Sequence, residues 1–257
     1  MKDHEMFNQM ADYYDRFRPG YPAELIRKIV EKAVLTEDSC VVEIGAGSGK
    51  ATAQFVDYDF YLLCIDPGKD LADKGRERFK GRKISYVVST FEACNLPESS
   101  FDAIISAQAF HWVEKPLGYE LCARCLKPGG WLMPFWNIEI IRDTALDREL
   151  HEIIERYDAY TAVMKEDAYV QRVKRITADI RDSGLFHKPE IIQVEWEKHF
   201  TAEEYFGYAM TGNVFVRNPE ERKCACFEEL QALAEKYGGI CRHFICELYA
   251  TEKLQGD

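Results

Sequence analysis

The sequence predicts an α/β protein built on a doubly wound parallel sheet. Three observations carry this. A short apolar run, Val41–Ile44, leads into a glycine-rich turn, Gly45-Ala46-Gly47-Ser48-Gly49, with helical sequence after it. Apolar runs then alternate with helical stretches as far as Asn137, the pattern of repeated strand–helix units. Several of the runs, such as Phe60–Ile65 and Ala103–Ile105, are continuously apolar, as suits strands covered on both faces.

The bulk numbers bound the partners. A chain of 257 residues is long enough for one large α/β domain with insertions. The formal charge of −11 gives little to gain from counterion release, so general nucleic-acid binding is disfavoured. Charges run throughout the first seventeen residues, and no apolar run reaches the roughly 18 residues of a membrane span. The expectation is a cytoplasmic protein with no membrane partner, monomeric or homodimeric. The nine cysteines are scattered, and reduced thiols are the default without a secretory signal. Cys122 and Cys125 have metal spacing but lie in a helical stretch with no second pair, so they read as small core residues, as do Cys224 and Cys226. No metal site is expected.

The turn after the first strand narrows the ligand. Three alternate glycines let the backbone approach a ligand closely, and the next helix points N–H groups at it. The spacing is neither the dinucleotide fingerprint nor the P-loop, since Lys50 stands at the sixth position and Ala51 follows it. What remains is E-x-G-x-G-x-G, with Glu43 two residues before Gly45. An anion there repels phosphate and suits a ligand bearing an ammonium or sulfonium charge. "VVEIGAGSGKAT" resembles motif I of the class I S-adenosylmethionine-dependent methyltransferases. That resemblance implies S-adenosyl-L-methionine as cofactor, bound along Glu43, Gly45, Ala46, Gly47 and Gly49.

The remaining elements follow in order. Met6, Met10, Tyr13, Tyr14 and Phe17 have helical spacing, and Pro19-Gly20 ends that leader. Pro22 opens a second helix with Leu25, Ile26, Ile29 and Val30 on one face. In the resembled family "YYDRFRPGYP" is the segment that folds over the cofactor, so Tyr14, Arg18 and Tyr21 are expected to line it; packing tyrosines and a solvated arginine are the alternative. Asp66 ends the second strand, where a carboxylate can accept from both ribose hydroxyls, and Pro67 stops the strand. A helix over 71–79 and the strand "KISYVVS" come next. By the resemblance, Thr90, Phe91 and Glu92 pass the adenine edge, although Phe91 could be plain core. The fourth strand exits through Ser106, Ala107 and Gln108, which face the site. "SAQAFHW" resembles a subgroup of type 11 small-molecule methyltransferases that includes trans-aconitate methyltransferase-like enzymes. Histidine ordinarily titrates near neutral pH, so His111 could be a base or hydrogen-bond the substrate; Trp112 could meet a sulfonium or floor a substrate pocket. A structural pair capping the next helix would read the same. "LKPGGWLMPFW" gives a helix stop, a turn and strand five.

Beyond Asn137 the pattern changes. Charged helical stretches cover 143–166 and 168–183, "EIIQVEWEKHF" alternates like a half-exposed strand, two helices span 201–238, and "ICRHFICELYATEKL" is a final strand. The resemblance implies a Rossmann-like seven-stranded sheet whose last strand is antiparallel, with helical insertions as a cap. The chain then forms one domain, with a core over 20–137, 185–200 and 240–252 and a cap over 1–19, 138–184 and 201–239. Tyr205, Tyr208, Met210, Asn213, Phe215 and Arg217 are the cap residues expected to face a small-molecule substrate, Tyr205, Tyr208 and Arg217 foremost, with Trp112 from the core. An amino-methyltransferase string for nucleic acid after strand four is absent, which disfavours a DNA base as acceptor. Two other readings stay open: a non-catalytic cofactor-binding sensor and a nicotinamide oxidoreductase, against which the glycine spacing counts.

Overall fold

The computed structural model describes residues 15–161, 163, 164, 166–212 and 214–255. Tyr14, Asn213 and most of the leader lie outside the described residues. Seven strands form one sheet: β1 (Cys40–Ile44), β2 (Tyr61–Asp66), β3 (Ile84–Val88), β4 (Phe101–Ala107), β5 (Leu126–Ile140), β6 (Glu190–Phe200) and β7 (Ile240–Glu252). Their order is β3-β2-β1-β4-β5-β7-β6, and a two-residue strand, Val163–Met164, adds to β5 in parallel. The pairs from β3 across to β5 are parallel, while β7 runs antiparallel to both β5 and β6. This is the seven-stranded α/β arrangement with an antiparallel last strand that the sequence predicts. The chain leaves β1 toward β2 on one side and reaches β4 on the other, which puts the switch point at the carboxyl ends of β1 and β4.

Alternate residues of each strand feed two cores. Val41, Leu62, Cys64 and Ile105 pack on one face, against Leu25, Ile26 and Ile29 of α1 (Ala23–Lys32). Val42, Ile65, Ile104 and Leu132 pack on the other, against Tyr119 and Cys122 of α4 (Leu117–Cys125) and Ile176 and Ile180 of α6 (Glu166–Asp182). Cys122 and Cys125 are buried in that second core, as expected for small apolar residues. A third cluster holds the cap together: Leu150 and Ile154 of α5 (Ala145–Tyr157), Tyr205 and Tyr208 of α7 (Ala202–Ala209), and Leu230 and Leu233 of α8 (Glu220–Tyr237). Thr201 opens α7 with a capping box to Glu204.

The elements depart from the sequence expectation at four places. The helix after β1 is short: α2 covers Thr52–Phe55 and passes into a 3₁₀ turn, Val56–Tyr58. The helix expected over 143–166 stops at Tyr157, where Asp158 takes a left-handed conformation (φ 55°). The helix expected from 201 stops at Ala209, and a 3₁₀ turn, Phe215–Arg217, follows separately. The Lys127-Pro128-Gly129-Gly130 segment is part of β5 rather than a turn before it, absorbed by a register shift against β4 between Phe101 and Ala103. Helix α3 (Lys69–Arg78) matches its expectation closely.

Candidate cofactor and acceptor site

A cavity of about 820 Å³ opens at the carboxyl ends of β1, β2 and β4 and runs up to the cap. That is at the upper end of the roughly 300–1,000 Å³ of small-molecule sites. Its floor is backbone. Gly45 and Gly47 take φ of +70° and +58°, and a Cβ at Gly45 would lie 2.3 Å from that of Ala109. Gly45 is required on both counts, conformation and close approach, and Gly47 by its conformation alone. Gly45 N and Ala46 N donate to Ile65 O (2.8 and 3.2 Å), which locks the turn to the end of β2. The Asp66 carboxylate accepts from Gly47 N and Gly68 N, both at 2.8 Å, one on each oxygen. These bonds fix the carboxylate at the cavity wall.

The N-terminal segment closes one side. Lys50 Nζ donates to Arg18 O (2.5 Å), Arg18 Nε donates to Thr211 Oγ1 of the cap (2.9 Å), and Tyr21 packs edge-on against Phe135. Asn137 joins three parts of the wall. Its Nδ2 donates to Gly20 O (2.6 Å), its Oδ1 accepts from Trp196 Nε1 (3.2 Å), and its carbonyl accepts from Gln108 Nε2 (2.9 Å). Gln108 itself is held at φ 59°, a strained conformation for a residue with a side chain, at the exit of β4. The far end is apolar: Trp112, Tyr160 and Val214 line it and stay 54%, 45% and 55% exposed. Tyr208 and Thr211 complete the roof.

Residues 42–133 match the family model described as a methyltransferase domain, type 11. The chain is 35% identical over 152 residues to an uncharacterized methyltransferase of Mycobacterium tuberculosis, covering 58% of this chain and 59% of that protein. It is 31% identical over 134 residues to a candidate S-adenosylmethionine-dependent methyltransferase of Saccharomyces cerevisiae, covering 50% and 45%. The fold matches a solved candidate type II methyltransferase from Anaeromyxobacter dehalogenans with a TM-score of 0.67, at 21% identity, over 91% of this chain and 97% of that one. The match to the methyltransferase domain thus covers the strands and the glycine turn that build the floor of the cavity. The chain spans 59% or less of the length of these two curated relatives.

S-adenosyl-L-methionine is the methyl donor that goes with such a domain, and the residues lining the cavity fit it. Asp66 offers a fixed carboxylate, the glycine turn offers bare backbone, and Leu71 and Phe91 offer an apolar slot beside Thr90 and Glu92. Arg18 and Lys50 supply cations at the other side of the turn. Glu43 lines the same cavity, but burial pushes its carboxyl up to about 8, with Thr52 Oγ1 donating to it at 2.6 Å and Asp66 raising it further. It is therefore largely protonated at neutral pH. The fixed anion expected at this position becomes one only when a cation is brought against it.

Of the two roles open to His111, base and hydrogen-bond partner of the substrate, the geometry favours the second. Trp136 Nε1 donates to His111 Nδ1 (3.2 Å), and an indole can only donate. The ring is then neutral with its proton on Nε2, so it presents a donor and has no lone pair left for a base. Surrounding protein, then Arg172 and Lys115, lower its pKa to about 4, which also keeps it neutral. Trp136 is held in turn by the Arg172 guanidinium, 4.5 Å above its ring, and Arg172 pairs with buried Glu247 at 2.7 Å.

Of the sequence-chosen residues, Glu43, Gly45, Ala46, Gly47, Asp66, Pro67, Thr90, Phe91, Glu92, Ala107, Gln108, Arg18, Tyr21, His111, Trp112 and Tyr208 line the cavity. Six described ones do not, among them Met210 and the fully buried Phe215 of the cap. Gly49 faces away: a Cβ there would lie 2.3 Å from the Phe79 ring and 2.5 Å from Tyr86 Oη, so this glycine serves packing. Ser106 is fully buried, with Oγ donating to Ile44 O (2.9 Å). Tyr205 is fully buried in the cap core, its hydroxyl toward Glu139 (3.4 Å). Arg217 is exposed on the 3₁₀ turn beyond the roof. Lys50, Ser89, Asn137, Tyr160 and Thr211 were not singled out from the sequence. Only Asn137, polar at the end of an apolar run, carried a local signal.

Proposed function

We propose that this protein transfers a methyl group from S-adenosyl-L-methionine to a small-molecule acceptor held between Trp112 and the cap. The observation that carries the reading is the single cavity joining two unlike ends. The floor has a fixed carboxylate and a glycine turn; the far end has exposed aromatic surface at Trp112 and Tyr160. An acceptor reaching that end is enclosed by the cap rather than laid on an open surface, which favours a small molecule over a polymer.

The sulfonium supplies an activated methyl group, so the chain's own work is to bind, orient and exclude water. Asp66 would take the ribose hydroxyls, and Thr90, Phe91 and Glu92 would border the adenine. Arg18 would meet the methionine carboxylate, with Tyr21 packed beside it. His111 would orient the acceptor by donating from Nε2. An acceptor already ionised at neutral pH needs no base, so a carboxylate suits a site with a neutral donor histidine and nearby cations. A trans-aconitate methyltransferase-like acceptor would meet these terms.

Calorimetric titration with S-adenosylhomocysteine beside NAD tests the cofactor. Binding of the first alone is expected, and binding of NAD alone overturns the reading. A screen of small carboxylic acids with methyl-labelled cofactor then tests the acceptor. Cofactor binding with no methylated product from any small acid would instead favour a sensor. In Asp66→Ala, loss of about 1.5–3 kcal/mol, the worth of a charge-assisted hydrogen bond, should weaken S-adenosylhomocysteine binding at least tenfold.

A further inference from the structure

The outer face of the β6–β7 ladder carries a second constellation, and none of its residues lines the cavity. Cross-strand register pairs His199 with Cys241 and Glu197 with His243. Residues two apart on a strand share a face, so all four side chains stand together. Cys241 Sγ lies 3.7 Å from His199 Nε2 and 3.9 Å from Glu197 Oε2. The three ligand atoms all fall within 4.8 Å of one another. His243 Nδ1 lies 2.9 Å from the other Glu197 oxygen, Oε1.

These distances are informative. A tetrahedral zinc ion, with bonds of about 2.3 Å to sulfur and about 2.0–2.1 Å to nitrogen or oxygen, has ligand–ligand edges of about 3.6 Å. The two sulfur edges here, 3.7 and 3.9 Å, lie within a few tenths of an ångström of that, and the Glu197–His199 edge is at most 4.8 Å. The ligand types agree as well, since thiolate, imidazole and carboxylate are the set that a borderline divalent cation takes. Nearby basic groups are engaged elsewhere. Arg142 pairs with Glu195 at 3.2 Å, and Lys198, on the opposite face, lies 4.5 Å over the Phe200 ring.

We propose that Glu197, His199 and Cys241 form a zinc-type site that clips β6 to β7, with His243 holding the Glu197 carboxylate and water completing the tetrahedron. Binding releases the Cys241 thiol proton to solvent and changes no oxidation state. His243 Nδ1, 2.9 Å from Glu197 Oε1 and making no hydrogen bond itself, is placed to become the outer-shell donor to that carboxylate when the ion fixes it. The ion would brace the strand pair whose other face carries Trp196, the partner of Asn137 in the cavity wall.

Cobalt titration of the reduced full chain tests this independently of methyl transfer. One Co²⁺ per chain should bind, with a thiolate-to-cobalt charge-transfer band and tetrahedral visible absorption, and Zn²⁺ should displace it. The band should persist in Cys224→Ser, which removes an exposed thiol, and vanish in Cys241→Ser. His199→Ala should weaken binding at least tenfold, and His243→Ala by about tenfold, the lower end of outer-shell effects. Circular dichroism of each variant confirms that the sheet is retained. Absence of a thiolate band in the intact chain, its survival in Cys241→Ser, or unchanged affinity in His199→Ala would each overturn the proposal.

Discussion

At the floor of the cavity the ligand surface is made by backbone, and at the roof it is made by side chains. Gly45, Gly47 and Gly68 present bare Cα atoms, their N–H groups donating to Ile65 O and to the carboxylate of Asp66, the one side chain that matters most. The roof gathers Tyr160, Tyr208, Thr211 and Val214 from two separate insertions. Those insertions meet the sheet through buried Arg242 of β7. Its guanidinium reaches Glu139 of β5 at 2.5 Å and also Asp147 of α5, while Thr161 Oγ1 donates to the second Glu139 oxygen (2.5 Å). A floor of backbone tolerates almost no substitution at its glycines. A roof of side chains can change its lining, provided that the ionic anchor beneath it stays whole.

Four substitutions would break or sharpen that contrast. The largest effect is expected at the anchor. Arg242→Met leaves two buried carboxylates without their cation, which should cost about 3–5 kcal/mol in urea unfolding. S-adenosylhomocysteine affinity of the folded fraction should change less than threefold; a larger loss would mean that floor and roof are one unit. Gly45→Ala is next. A left-handed Cβ costs about 1–2 kcal/mol and overpacking on Ala109 about 1–3 more, so cofactor affinity and stability should fall together.

Glu43→Gln tests the buried acid of the floor. Burial raises the folded carboxyl from its ordinary 4.5 to about 8, so the folded chain holds a proton that the unfolded chain releases. The associated stability is therefore fully present below the ordinary value and is lost as pH rises toward 8. Urea unfolding at pH 5 and pH 8 should show a loss of about 2–4 kcal/mol attributable to this group, absent in the glutamine variant. An equal slope in both proteins would mean that Glu43 is ionised in the folded state. The smallest effect belongs to His111. His111→Gln keeps a donor and should retain turnover within about tenfold, with no inflection near 6.5 in the wild-type rate profile. An inflection near 6.5 that disappears in the variant would restore the base.

The sequence reading divides along the same line. The floor was legible because each residue there answers a local demand: glycine for positive φ, a carboxylate at a strand end, proline to stop the strand. His111 and Trp112 were legible as cavity residues for the same reason, being fixed by their distance from the end of β4. The polarity of His111 was not, because it depends on Trp136, twenty-five residues away on the neighbouring strand. Gly49 and Ser106 were misassigned because spacing places them at the turn while packing turns them inward. In the cap, helical periodicity identified apolar faces but could not say which residues meet the cavity and which meet each other. Tyr205 and Tyr208, three apart on one helix, fall on opposite sides of that division.

By itself, then, the chain determined its alternation of strands and helices through β5 and the glycine turn after β1, since those follow from local conformation and from apolar runs at strand spacing. The tertiary structure decided the rest: which cap residues line the roof, that Asn137 joins Gly20, Gln108 and Trp196, and that Glu197, His199 and Cys241 converge. These depend on contacts between residues from 29 to 117 positions apart, and no local rule of φ, ψ or periodicity carries information over that distance.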